Sequence, residues 1–373
     1  MLLENMFPES YQESRETFAR KIAALNGRLD SFVLPNAVGA AGEPLAMDVA
    51  RLGAAGGAKV LLITTATHGV EGFCGAGCLN LLLDDEHLRG QAARAGIDLL
   101  LVHGVNPYGF SHLRRVNEDN IDLNRNWVDF AAGVPENRVY EDLDPYLVPE
   151  AWPPTPAADA RLDRIIDQMG FEQFRRAIAA GQYSSDSGLY FGGRRKSWSL
   201  ETLSAALQHH LVEQSCVGWI DIHSGLGPPG HGEKMYVGRA DPEEEARARR
   251  WWGQDVSSLH GNDAASGRVS GSLAQLIYDL AIPLQSTSIA LEYGTIGSRG
   301  VRHALRGDQW LYRNPSAPPA QAYAIKKAIK DAFFCNDAVW KGMVLAQFRA
   351  TALQAINGMA TEEFSDVSLA GFR

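Results

Sequence analysis

Two spacings of apolar residues alternate along the chain. In residues 9–26, ESYQESRETFARKIAALN, apolar positions recur at helical intervals and predict a helix. A candidate strand, RLDSFVLPN, follows. The run KVLLITTAT (59–67) is continuously apolar and β-branched, the pattern of a strand covered on both faces. IDLLLVHGVNP (97–107) and CVGWIDIHS (216–224) repeat that pattern, and EKMYVGR (233–239) and SIALEYG (288–294) are further strand candidates. Between them GCLNLLLDDEHL (77–88), 242–259 and 271–281 read as helices. Strands alternating with helices predict an α/β layer sandwich around a largely parallel sheet.

The stretch 130–160, containing LVPEAWPPTP, reads as a surface excursion within an insertion over 129–216. Residues 315–373 open with PSAPP and continue with two helical stretches, a C-terminal helical appendage packed on the core. We expect one catalytic domain over residues 1–373. With 45% hydrophobic residues the chain can build a sizeable core. The net charge of −9 and the lack of a long basic run argue against nucleic acid or an anionic membrane as partner. The first residues lack a secretory signal pattern, and no apolar run is long enough to span a bilayer. The four cysteines are too scattered for a disulfide framework, so the expected compartment is the cytoplasm. Cys74 and Cys78 read as small core residues, His209 and His210 as surface, and His103 as a satisfied strand-end histidine.

The ends of the strands carry the chemistry. Ligands of open α/β sheets bind beyond the C-terminal ends of strands. His68 and Glu71 fall there, after the strand 59–67, among glycines 69, 72, 75 and 77 that let the backbone turn. Imidazole nitrogen and carboxylate oxygen both suit zinc, and three protein ligands with one open position are the arrangement of a catalytic zinc. His223, ending the run 217–222, supplies the third ligand. Asp221 either orients a ligand or caps a turn. Glu292, an acid inside the apolar run IALEYG, is placed to move protons as general base and acid. Arg114 and Arg115 precede a dense cluster of Asp122, Asn124, Arg125 and Asn126, suited to carboxylates and oxyanions.

HGVE, DLNRNW, DIHSG and a later glutamate occur in the order seen in the zinc carboxypeptidases and their deacylase relatives, the succinylglutamate desuccinylase and aspartoacylase group, and the chain resembles that superfamily over roughly 55–300. It also resembles carboxypeptidase-like bacterial proteins of undetermined function. The resemblance implies a three-layer sandwich with a mostly parallel central mixed sheet. It implies one Zn2+ per chain on His68, Glu71 and His223, with Glu292 as general base and acid. It further implies that Asn124 and Arg125 grip a substrate carboxylate, and that Arg115, or else Arg114, polarises the scissile carbonyl. Tyr236, Tyr278 and Tyr293 are candidates for the tyrosine that some carboxypeptidases bring over the substrate. RRKSW (194–198) is a candidate source of positive charge for an acidic acyl group. The expected activity is hydrolysis of an amide next to a carboxylate, by a carboxypeptidase on short peptides or a deacylase on N-acyl amino acids. A non-catalytic binding protein with the same cleft is the rival reading, and manganese, iron or cobalt are rival metals.

Overall fold

A computed structural model describes residues 3–53, 58–211, 216–261, 264–267, 269–282 and 284–362. The end of the C-terminal appendage, 363–373, lies outside them. The sheet contains β1 (Arg28–Val38), β2 (Pro44–Leu52), β3 (Lys59–Thr64), β4 (Ile97–His103), β5 (Cys216–Ser224), β6 (Gly232–Tyr236), β7 (Ser257–Ser258) and β8 (Gln285–Tyr293). Their order is β1-β2-β4-β3-β5-β8-β6-β7. The central β4-β3-β5-β8 neighbours pair in parallel, while β1/β2, β2/β4 and β6/β8 are antiparallel.

The first helices are α1 (Tyr11–Ala24), α2 (Gly72–Asp84), α3 (Glu86–Arg94) and the short α4 (Pro107–Ser111). Next come α5 (Arg138–Leu147), α6 (Pro156–Met169), α7 (Phe171–Ala179), α8 (Trp198–His210) and α9 (Pro242–Trp252). The series ends with α10 (Ser298–Arg313), α11 (Pro319–Phe333) and α12 (Ala338–Thr361). Among the described residues no helix is long and apolar enough to cross a membrane.

The continuous apolar strands are explained by two covered faces. On β3, Leu61 and Ile63 enter one core with Leu82 of α2, Trp251 of α9 and Phe348 of α12. Val60 and Leu62 enter the other with Leu203 of α8 and Leu276. A third apolar cluster joins α5, α6 and α7 to α10 and α11, above the C-terminal ends of the strands. The fold is thus a three-layer α/β sandwich with a mixed, centrally parallel sheet.

Several boundaries differ from the sequence expectation. The helix read through 77–88 is two helices, because Asp85 stops α2 and caps α3 by accepting from the Leu88 N–H at 2.9 Å. The helix read through 242–259 stops at Trp252, where Gly253 adopts φ +106°. The span 271–281 holds only a 3₁₀ turn, Leu273–Tyr278. Strand β2 was not anticipated, since Asp48 and Arg51 interrupt its apolar pattern. Asp48 is nonetheless buried, accepting from Arg15 Nε at 2.7 Å and Ser31 Oγ at 2.5 Å.

His103, at the end of β4, bears on stability. It is fully buried, stacks on Phe18 and lies 2.7 Å from Ser14 Oγ through Nε2. Burial pushes its imidazole down to about 4. The unfolded chain protonates this group near the ordinary 6.5, so above that pH both states are neutral and the stability is fully present. As pH falls from there towards 4 only the unfolded state gains the proton, and about 3 kcal/mol is lost. Urea unfolding across this range should show that loss, and His103→Gln should remove its share of the slope.

Candidate metal centre

The chain leaves β3 through Thr65–Thr67, with Ala66 at φ +57°, and enters a 3₁₀ turn, Gly69–Glu71. None of glycines 69, 72, 75 and 77 has a positive φ, so they do not serve the turn by backbone freedom. They serve close packing. A methyl group on Gly69 would sit 2.0 Å from the Gly109 carbonyl carbon. The turn is also pinned to the next loop, the Gly69 and Val70 N–H groups donating to the Arg115 and Arg114 carbonyls at 3.1 and 2.8 Å.

That packing brings His68, Glu71 and His223 together, with one donor atom from each lying within 4.8 Å of the others. His68 Nδ1 is 2.9 Å from Glu71 Oε1, and His223 Nδ1 is 3.0 Å from Glu71 Oε2. The outer nitrogens face carboxylates: His223 Nε2 lies 2.7 Å from Asp221 Oδ2, and His68 Nε2 lies 3.3 Å from Asp122 Oδ1. Asp221 therefore orients a histidine and does not cap a turn, while its other oxygen accepts from the Thr64 and Thr67 hydroxyls at 2.6 and 2.9 Å. Burial opposes charge at these groups, yet the surrounding ions prevail. Asp221 and Glu71 hold the His223 imidazole well above its ordinary value, and the two histidines hold the Glu71 carboxyl well below its own. Two nitrogens and one carboxylate, with both outer nitrogens facing acids, are a donor set that fits a divalent metal.

Glu292 lies beside this group because the parallel register of β5 and β8 pairs it with His223. It is buried, and its Oε1 accepts from the Leu226 N–H at 2.9 Å. Burial and the Glu71 carboxylate push its carboxyl up to about 8. Arg115 completes the inner group, with Nε 2.9 Å from Asp122 Oδ2 and Nη1 3.4 Å from Glu71 Oε1. Arg125 is held from the end of α7 and the residues after it, Nε donating to the Ala179 carbonyl at 2.8 Å, while its own carbonyl accepts from the Tyr183 hydroxyl at 2.6 Å. Asn124 Oδ1 accepts from the Leu273 N–H at 2.9 Å.

His68, Glu71, His223, Glu292, Arg115, Asn124 and Arg125 all line one cavity of about 140 Å³, whose remaining wall is mainly apolar and includes Ile178, Met235, Leu305 and Phe333. Arg114 does not reach it. Successive loop residues point opposite ways, and the buried Arg114 guanidinium donates to Asp308 and Asn120 at 2.9 Å each. The three tyrosine candidates are also elsewhere, their hydroxyls donating to the Arg239 carbonyl (Tyr236), Glu244 (Tyr278) and the Val344 carbonyl (Tyr293). Within RRKSW, Arg194 pairs with Asp186 at the surface and Lys196 lies over the Trp127 ring; none of the five residues lines the cavity.

Among the lining or supporting residues with no assigned role in the sequence, two stand next to the arginines. Asp122 was visible only as one member of a polar cluster. Tyr190 was not visible at all, since nothing in its neighbours GLYFGG marks it.

No curated protein matches the sequence significantly. In fold the chain is similar to carboxypeptidase A from Helicoverpa armigera, with 13% identity, TM-score 0.44, and coverage of 87% of this chain and 74% of that one. Bovine thrombin-activatable fibrinolysis inhibitor, in complex with tick carboxypeptidase inhibitor, matches at 14% identity and TM-score 0.44, over 87% of this chain and 96% of that one. A metallo-carboxypeptidase from Burkholderia cenocepacia matches at 12% identity and TM-score 0.40, over 85% and 67%. The family model described as "Protein of unknown function (DUF2817)" matches residues 7–347, and the chain belongs to that family.

Proposed function

We propose that this protein is a zinc-dependent amide hydrolase acting on a bond next to a carboxylate-bearing residue. The observation that carries the reading is that a His-Glu-His donor set, a buried glutamate, Arg115 and Arg125 share one cavity, whose wall also includes Arg175. His68, Glu71 and His223 would hold the metal. When bound, zinc supplies Lewis acidity that activates water and a carbonyl.

The chain's own groups do the rest. Glu292 accepts a proton from the attacking water and passes it to the leaving nitrogen. Arg115, its charge secured by Asp122 and Glu71, stabilises negative charge growing on the carbonyl oxygen. Arg125 binds the substrate carboxylate and so sets the attack geometry. Asn124, fixed by Leu273, joins it at the carboxylate.

The cavity is smaller than the ~300 Å³ at which drug-sized ligand sites begin. Ile178, Ala179 and Tyr190, all from the inserted segment, narrow it. That size favours dipeptides and N-acyl amino acids over the ends of long chains. Protein purified without chelator should contain about one zinc per chain by elemental analysis. It should hydrolyse members of a panel of dipeptides and N-acyl amino acids, lose that activity to chelator and regain it with zinc. A purified protein carrying no transition metal would sink the reading; full zinc with no hydrolysis would leave a binding protein.

A further inference from the structure

Tyr190 is a bulky aromatic residue at φ +55°, in a backbone region that favours glycine. Strain of this kind persists only where the surroundings enforce it, and it concentrates at functional sites. Here the surroundings do enforce it. The Gln182 N–H donates to the Tyr190 carbonyl at 3.1 Å, and the Gly192 N–H donates back to the Gln182 carbonyl at 2.8 Å. The Gln182 side chain ties down the intervening loop, accepting from the Ser184 and Ser185 N–H groups at 2.9 and 2.8 Å. The neighbouring Phe191 carbonyl accepts from the Asp122 N–H at 2.8 Å, which fixes this loop to the arginine-bearing one.

The ring held in this way lines the cavity and touches both cations, 5.4 Å from Arg115 Cζ and 5.8 Å from Arg125 Cζ at its centroid. The same two guanidiniums share the Asp122 carboxylate, at 2.9 Å for Arg115 and 4.0 Å for Arg125. Two buried like charges repel. Each has a further anchor of its own, Glu71 at 3.4 Å for Arg115 and the Ala179 carbonyl at 2.8 Å for Arg125, but unlike Asp122 these anchors do not link one guanidinium to the other. A ring that attracts both is a second shared contact, and it restrains their separation.

We propose that Tyr190 is a positioning residue: its ring, with Asp122, fixes the span between the Arg115 and Arg125 guanidiniums and so selects substrates by the number of bonds between scissile carbonyl and carboxylate. This rests on the amide-hydrolase reading, in which Arg115 meets the carbonyl and Arg125 the carboxylate. A fixed span admits one separation and penalises a substrate longer by one methylene. A loose pair of arginines accepts both.

N-acetylglycine and N-acetyl-β-alanine differ by that methylene. Their binding is measured by calorimetry on zinc-loaded protein carrying Glu292→Gln to prevent turnover. N-acetylglycine should bind about 10-fold more tightly, and Tyr190→Phe, which keeps the ring, should retain the preference. Tyr190→Gly removes the ring at a backbone angle that suits glycine, so it should fold; there the preference should shrink to within about 2-fold. Tyr190→Asn, which also tolerates the left-handed region, replaces it if the glycine variant does not fold. An undiminished preference without the ring overturns the proposal, as does its loss in Tyr190→Phe or failure of both compounds to bind. Selective binding that depends on the ring, in a wild-type protein that hydrolyses nothing on the panel, would sink the hydrolase reading and leave the spacing role standing.

Discussion

On the proposed hydrolase reading, Glu292→Gln should leave the metal in place and lower turnover by about three orders of magnitude or more. Glutamine preserves the size of the side chain and its acceptance from the Leu226 N–H, so the strand end keeps its shape. It cannot take up a proton, and general base and acid catalysis together account for a factor of this order. Metal content distinguishes this from collapse of the site, because Glu292 is not among the three donors. The wild-type rate should also fall on the acid side as this carboxyl protonates. Burial and Glu71 push it up to about 8, and a cation drawing on Glu71 weakens the second of these causes, so the limb should lie below that value. Equal turnover in the variant would remove Glu292 from the mechanism.

Asp122→Ala should destabilise the protein by about 3–5 kcal/mol and weaken metal binding by about 10–100-fold. Asp122 is fully buried. Although burial disfavours its charge, Arg115, Arg125 and His68 hold its carboxyl well below the ordinary range. Its removal takes from the buried Arg115 the nearer of its two carboxylate partners and leaves the outer nitrogen of His68 with no acid facing it. Denaturant unfolding measures the first effect and chelator competition the second. Asp122→Asn, which keeps the shape and can accept from Arg115, should lose less of both. Wild-type metal affinity in the alanine variant would separate Asp122 from the metal centre.

The central strands were legible because a strand covered on both faces has no polar alternation to disguise it. CVGWIDIHS coincides with β5 to the residue. β2 hid because Asp48 and Arg51 are satisfied by Arg15 and Asp98, partners far along the chain that no local pattern reveals. The donors were legible for a different reason: a histidine or acid just past an apolar run lies on the rim where sheets bind ligands. Arg114 and Arg115 could not be separated, since adjacent loop residues differ only in direction, and packing against α10 decides which turns inward. Tyr190 owes its place to a clamp made by Gln182, which has no signature of its own.

Helix α12 puts Phe348, Ala352 and Ile356 into the same core as Leu61, Ile63, Ile220 and Ile222, and Lys59 at the head of β3 donates to the Met359 carbonyl at its far end. The strands that lead to His68 and Glu71 and that carry His223 therefore gain part of one wall from a helix far along the chain, 300 positions on in the case of Lys59 and Met359. During synthesis β3 and β5 emerge before that part of their cover, and until it arrives the apolar area that α12 will bury is open to water and to chaperones.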